Sequence, residues 1–415
     1  MGPKDHVALF TTADDLEPTC YSQVVRHPEW REAMDVEFNA LLQNHTWRLV
    51  PYTPGMNVVG CKWVFRLRQC ICVSRLATRT KRNRIMCAFC NVLFMLYFLV
   101  YVDDILVMGS DSQRVSGIVA KLVAEFKIRD MGAPSFFLGI ETVPFSDGVL
   151  LSQRRYIQDI LKRAGMVDCK LVSTPVSVVR SDDADTTPYA DPTHYRSIAG
   201  ALQYLTVTRP DLSYAVNRLC QHMQSPTTAD WSLMKRVLRY VKGTLGLGLS
   251  IRRSLSTAVH AFSDSDWAGN PDDRKSTSGF AVYVGTNLVS WSCRKQRTVA
   301  RSSTEAEYNA LADVSAEVTW LVSLLKEIGF PPASAPTLWC DNLGATYLCS
   351  NPVFHARTKH VEIDYHFVRD KVAKKEIQVH FISTKDQLAD VFTKALPSTR
   401  FSFLRGKLNV AAAPS

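Results

Sequence analysis

Apolar positions change their spacing several times along this chain, and each change predicts a different element. Between residues 28 and 44, Trp30, Ala33, Met34, Phe38, Leu41 and Leu42 recur at helical spacing, which predicts an amphipathic helix. Thr46 to Val50 and Val58 to Leu67 then read as short strands, divided by the Pro and Gly of Pro51 to Gly55. Ile85 to Val102 is apolar throughout except for Asn91. Two readings fit that run: a membrane-spanning helix with a basic flank, or a buried strand leading into Tyr101-Val102-Asp103-Asp104. The adjacent aspartates at its end favour the strand.

Helical spacing returns at Tyr156 to Ala164 and at Ala229 to Val241, the second carrying Lys235, Arg236 and Arg239. Ser173 to Pro192, rich in Ser, Thr, Asp and Pro, predicts an exposed connection. Beyond Leu249, Ala258 to Ser263, Phe280 to Val284 and Leu288 to Ser292 read as strands. Ser303 to Ile328 follows as a long helix, and Thr337 to Cys340 and Gln378 to Ile382 as two further strands. That order predicts a mixed sheet flanked by helices, an α/β domain of about 140 residues.

Composition narrows the classes. The chain has 415 residues, 46% hydrophobic and 21% charged, which excludes a disordered or fibrous protein and allows two or three domains. Lys plus Arg number 49 against 39 for Asp plus Glu, a net charge of +10. Such an excess suits a phosphate-rich partner, although an ordinary basic enzyme carries the same signature. Eleven cysteines without a secretory signal point to a reducing compartment, cytoplasmic or nuclear, rather than to a disulfide framework. The tight pairs Cys70 and Cys72, then Cys87 and Cys90, allow a zinc site by spacing. The second pair lies in an apolar run with no His nearby, so zinc is not the expectation. Residues 70 to 84 hold Arg75, Arg79, Lys81, Arg82 and Arg84 and no acidic residue.

Four carboxylates of the last domain fall where strands end or helices begin. Asp264 follows a strand, Asp341 follows Thr337 to Cys340, Glu305 sits in the first turn of the long helix, and Asp390 opens the final helix. Converging carboxylates suit hard divalent cations. Taken singly, each has a plainer explanation: a glutamate at a helix N-terminus offsets the macrodipole, and acids after strands are common in turns. Asp266 is an alternative to Asp264.

Their surroundings add a resemblance. Phe262-Ser263-Asp264-Ser265-Asp266-Trp267-Ala268-Gly269 and Arg274-Lys275-Ser276-Thr277-Ser278-Gly279 resemble the opening of copia-type ribonuclease H domains. Ser302-Ser303-Thr304-Glu305-Ala306-Glu307-Tyr308, Cys340-Asp341-Asn342, Thr358-Lys359-His360 and Leu388-Ala389-Asp390-Val391-Phe392-Thr393-Lys394 continue the likeness in order. Upstream, Tyr101-Val102-Asp103-Asp104 resembles the reverse transcriptase hairpin. Phe137-Leu138-Gly139-Ile140 and Leu151-Ser152-Gln153 resemble the palm and thumb, and Thr208-Arg209-Pro210-Asp211 the connection to ribonuclease H. Glu29-Trp30, Asn44-His45-Thr46-Trp47 and Lys62-Trp63-Val64-Phe65 resemble the start of the same domain. The whole is similar to a copia-type retrotransposon Pol polyprotein, over residues 17–68 and 99–396.

The resemblance implies a mixed α+β chain: a partial right-hand polymerase palm and thumb with connection helices, then a ribonuclease H-like mixed sheet flanked by helices. The implied domains are residues 1–69 (the start of the polymerase fingers), 70–98 (a segment foreign to the family), 99–248 (palm hairpin, thumb and connection), 249–396 (ribonuclease H-like) and 397–415 (a tail). It places the catalytic, metal-binding carboxylates of the nuclease at Asp264, Glu305, Asp341 and Asp390, around two magnesium ions for which manganese can substitute. Asp103 and Asp104 become the metal ligands of a relic polymerase. The family's third polymerase aspartate lies in a segment that residues 69–98, which contain no Asp or Glu, are too short to hold. The implied partners are an RNA–DNA hybrid, template RNA and DNA, with no small-molecule cofactor and no membrane. The implied activity is hydrolysis of RNA in hybrids with polymerisation lost. A catalytically dead nucleic-acid-binding relic is one alternative, and a protein anchored through residues 85–102 is another. Some ribonucleases H place a mobile His before the last aspartate, but Ser383-Thr384-Lys385-Asp386-Gln387 has none. His360 and His366 remain either proton shuttles or surface residues.

Overall fold

The computed structural model describes residues 6–12, 77–79, 85–91, 94–101, 104–126, 128–178, 185–350 and 362–413. The expected helix at 28–44, the strands at 46–50 and 58–67, Cys70, Cys72, Asp103 and His360 lie outside them. The chain forms two compact units, Met1–Ala133 and Pro134–Ser415.

The first unit holds a six-stranded antiparallel sheet. Its strands are β1 (His6–Thr12), β2 (Ala77–Arg79), β3 (Ile85–Asn91), β4 (Phe94–Tyr101), β5 (Asp104–Gly109) and β6 (Ile128–Asp130), in the order β2-β3-β4-β5-β1-β6. The apolar run from Ile85 is therefore neither one helix nor one strand. It is two strands paired from Ile85↔Val100 to Asn91↔Phe94, and its aromatic and long aliphatic residues suit a pleated sheet. No helix among the described residues is long and apolar enough to cross a membrane. Cys87 and Cys90 both fall on β3. Helix α1 (Ser112–Glu125), capped by Asp111 accepting from the amides of Gln113 and Arg114, presents Val115, Val119 and Leu122 at helical spacing. These close a core over the alternating Leu96, Phe98, Ile105 and Val107.

The second unit contains two sheets. Strands β7 (Phe136–Phe137), β8 (Ile140–Phe145), β9 (Gly148–Ser152) and β10 (Leu247–Arg252) form an antiparallel sheet that β16 (Val410–Ala412) completes beside β10. Between β9 and β10 run α2 (Arg154–Arg163), α3 (Pro192–Leu205), α4 (Ser213–Gln221) and α5 (Thr228–Gly243). Pro192 opens α3 behind the Asp191 cap, and Thr227 with Asp230 forms a capping box on α5. The Thr-Arg-Pro-Asp motif is structural: Arg209, fully buried, donates to both oxygens of Asp211 at 2.9 and 2.8 Å, and Tyr240 Oη donates to the same carboxylate at 2.6 Å.

Strands β11 (Val259–Asp266), β12 (Thr277–Val284), β13 (Asn287–Lys295), β14 (Thr337–Cys340) and β15 (Gln378–Phe381) form the other sheet, ordered β13-β12-β11-β14-β15. The first three are antiparallel, and β11, β14 and β15 run parallel. Helix α6 (Ser303–Glu327) packs Leu311, Val314 and Val318 against Ala261, Val282 and Leu338. Helices α7 (Leu343–Ser350) and α8 (Glu362–Ala373) border the same core. The predicted mixed sheet thus appears within a few residues of its expected limits.

Two expected boundaries move. Leu249 does not open this sheet, because Leu249 to Arg252 pair with Gly148 to Leu151 in the other one. Nor are residues 397–413 a tail. Helix α9 (Ser398–Lys407) buries Phe401 and Leu404, and β16 follows with Val410 buried. These side chains share one core with α3, α5 and Phe392, so burial of apolar area decides the boundary there.

Candidate metal centre

Parallel pairing of β11 with β14 sets Ser263 beside Cys340, so the residues that follow, Asp264 and Asp341, emerge side by side at the carboxyl ends of adjacent strands. Helix α6 supplies a third acid. Oxygens of Asp264, Glu307 and Asp341 all lie within 4.8 Å of one another, the group of this kind among the described residues. Asp264 and Glu307 are buried. Glu307 Oε1 accepts from the Ser265 amide at 3.2 Å, and the Cys340 thiol approaches Oε2 at 3.8 Å.

Glu305 does not join this group. It sits in the helix cap, where its amide donates to Ser302 Oγ at 3.2 Å and its Oε2 accepts from the Arg301 amide at 3.0 Å. Two residues along a helix turn a side chain by about 200°, so Glu305 and Glu307 cannot share a face. The sequence carried a signal for Glu307. It lies in register with Leu311, Val314 and Val318, an acid on the apolar stripe.

Asp390, in the short 3-10 turn Leu388–Phe392, reaches the group through a lysine. Lys394 Nζ contacts Asp264 Oδ1 at 3.1 Å and Asp390 Oδ1 at 2.8 Å. Thr393 Oγ1 donates to Asp264 Oδ2, and Thr384 Oγ1 donates to Asp341 Oδ2 at 3.0 Å. Gly279, paired with Asp264, lets this turn close over the sheet. A Cβ there would stand 2.5 Å from Phe392 Cβ. Gln387, buried, donates to the Ser263 carbonyl at 2.9 Å and fixes the turn from below. Asp266 lies apart, held by the Thr277 amide, and burial pushes it up to about 6. His366 is exposed on α8, with Arg369 as its neighbour at 3.5 Å. Asp104 begins β5, paired with Tyr101 across the hairpin.

The electrostatics suit a cation. Burial, then the charges of Asp264 and Asp341, push Glu307 up to about 9. Burial also raises Asp264, against the opposing pull of Lys394 and Thr393. Lys394, which burial alone would lower, is raised by Asp264 and Asp390. Three crowded oxygen donors with costly negative charge form a donor set fitted to a hard divalent ion.

A long helix over a mixed five-stranded sheet, with acids at the ends of its adjacent parallel strands, is the ribonuclease H-like arrangement. The family described as reverse transcriptase (RNA-dependent DNA polymerase) matches residues 80–178. The retrovirus-related Pol polyprotein from transposon RE2 of Arabidopsis thaliana is 36% identical over 514 residues, covering 97% of this chain and 35% of that protein. The chain belongs to the copia-type retrotransposon Pol family and spans about a third of the length of that relative. An uncharacterized mitochondrial protein of the same plant is 51% identical over 54% of this chain and 94% of its own length. Among solved structures, the foamy viral protease-reverse transcriptase in complex with RNA/DNA hybrid is similar with a TM-score of 0.44 and 12% identity, over 72% of this chain and 37% of that one.

Proposed function

We propose that the second unit hydrolyses the RNA strand of RNA–DNA hybrids with two magnesium ions, for which manganese can substitute. The observation that carries this reading is the convergence of Asp264, Glu307 and Asp341 within 4.8 Å, in a family that pairs a reverse transcriptase with a ribonuclease H. Asp264 would be the shared ligand, Glu307 and Asp341 would hold one ion, and Asp390 would complete the other position with Asp264. When bound, such ions supply an activated water and neutralise charge at the leaving 3′ oxygen. Thr384 and Thr393 orient Asp341 and Asp264 by hydrogen bonds, and Lys394 shares a positive charge between Asp264 and Asp390. The basic balance of the chain, +10, suits the polyanionic hybrid.

Polymerase activity is proposed to be lost. No Asp or Glu lies between Glu37 and Asp103, so the third ligand of a two-metal polymerase has no source there. The alignment with the RE2 relative also runs over 514 residues against 415 in this chain, so the relative carries residues that have no counterpart here.

The test is cleavage of a labelled hybrid by the full chain in magnesium. Asp341→Asn keeps the shape and removes a charge, and should lower cleavage by about a hundredfold or more. Equal cleavage by wild type and variant would refute the assigned site, and binding of the hybrid without any cleavage would favour a non-catalytic relic.

A further inference from the structure

The segment after the ribonuclease H-like sheet does more than fill the core. Its helix α9 carries Arg400, whose side chain turns back to the loop between β15 and the Asp390 turn. Arg400 Nη1 donates to the Lys385 carbonyl at 2.6 Å, and Nη2 faces the carbonyls of Thr384 at 3.2 Å and Gln387 at 3.3 Å. Nη2 also contacts Asp390 Oδ2 at 3.5 Å. One guanidinium therefore gathers three carbonyls of a five-residue loop together with a carboxylate of the site.

The loop has its own links to the site. Thr384 donates to Asp341, and Gln387 anchors to Ser263, the residue before Asp264. Helix α9 is a firm base for such a clamp, since Phe401 and Leu404 are buried and β16 ties the following residues to β10. Only arginine fits the task. Its planar fork presents several donors in fixed directions, whereas a lysine offers a single ammonium point.

We propose that Arg400 is a positioning residue of the metal centre: from outside the ribonuclease H-like sheet, it sets the loop 383–387 so that Thr384 holds Asp341 and Asp390 faces Asp264. The role rests on the metal-dependent reading above. Groups that orient ligands in this way typically change metal affinity by about ten- to a hundredfold when removed.

The test uses the full chain with Arg400→Met, Arg400→Lys and Arg405→Met. Arg405 lies on the same helix but donates to Tyr240 Oη at 3.2 Å, so its loss loosens α9 without touching the loop. Magnesium affinity by calorimetry, the magnesium midpoint of hybrid cleavage, and amide exchange of residues 383–387 are compared. Arg400→Met should raise the magnesium requirement about tenfold and speed exchange across the loop. Arg400→Lys should recover part of both, and Arg405→Met should stay within about twofold of wild type. If Arg400→Met does not fold, the lysine variant decides: an unchanged magnesium midpoint in it overturns the proposal. So does an Arg400→Met midpoint within about twofold of wild type, or an equal shift in Arg405→Met. A wild-type chain that binds no magnesium removes the nuclease reading and the positioning role together. One that binds magnesium with an affinity indifferent to Arg400 removes only the latter.

Discussion

Asp104 at the β4–β5 hairpin and Asp264 on β11 are both acids at strand ends, yet their surroundings differ in what they can assemble. Asp104 begins one strand of an antiparallel hairpin, and apart from its sequence neighbour Asp103 the preceding stretch back to Glu37 offers no acid. Asp264 sits where a parallel neighbour, a crossing helix and a closing turn each bring one more charged group, from positions far away in sequence. A hairpin concentrates charge locally. A parallel crossover sheet gathers it from separate elements, and a two-metal site needs ligands approaching from several directions.

The largest expected contrast is in activity. With a primed RNA template the full chain should extend no primer, in magnesium or manganese, while cleaving hybrids. Extension abolished by Asp103→Asn would erase the distinction between the two regions. Next comes the pair of glutamates on α6. Glu307→Gln should cut hybrid cleavage by about a hundredfold or more, whereas Glu305→Gln should stay within about twofold, since a cap interaction is worth about 1 kcal/mol. The reverse ranking would return the ligand role to Glu305.

Stability gives a smaller effect. Leu404→Ala removes a fully buried side chain and should cost about 2–5 kcal/mol in denaturant unfolding. A fragment ending at Leu396 should be destabilised further, because Phe401, Leu408 and Val410 go with it. An undiminished unfolding midpoint for that fragment would restore residues 397–415 to the status of a tail.

The smallest effect is a pH slope. Glu307 is pushed from 4.5 up to about 9, so between those values the folded state holds a proton that the unfolded state has lost. Without metal, stability should therefore fall as pH rises through that window. Magnesium needs the carboxylate and must expel the proton, so its affinity should rise with pH over the same range, by at most about tenfold per unit. Calorimetry at about pH 6.5 and about pH 8.5 reads the sign directly, and a flat response would mean that Glu307 is already ionised.

Much of the ribonuclease H-like sheet is legible in the sequence, because alternation and helical spacing act over a few residues. Thr337–Cys340 emerges with its predicted limits, and Ser303–Glu327 within one residue. What the sequence hides is partnership. Leu249–Arg252 pairs with Gly148–Leu151, and nothing local in the sequence points to that distant partner. Glu305 is a separate case. Behind a Ser-Ser-Thr cap its first-turn position is chemically apt, and it draws the eye from the quieter signal of Glu307, an acid in register with Leu311, Val314 and Val318. The apolar stretch from Ile85 failed for a different reason: two strands of similar composition follow each other with Asn91 as the sole interruption.

The place of β16 has a consequence for the order of events during synthesis. Val410–Ala412 pairs with Leu247–Leu249, so one side of β10 stays open until the whole ribonuclease H-like sheet has been made. Until then, that strand is an unpaired edge beside an unfinished core, the kind of surface that captures other chains. Its partner comes from far along the chain, and such distant closures are slow. A ribosome halted shortly before Val410 would therefore hold a nascent chain with every proposed metal ligand already translated and this edge of β10 still exposed.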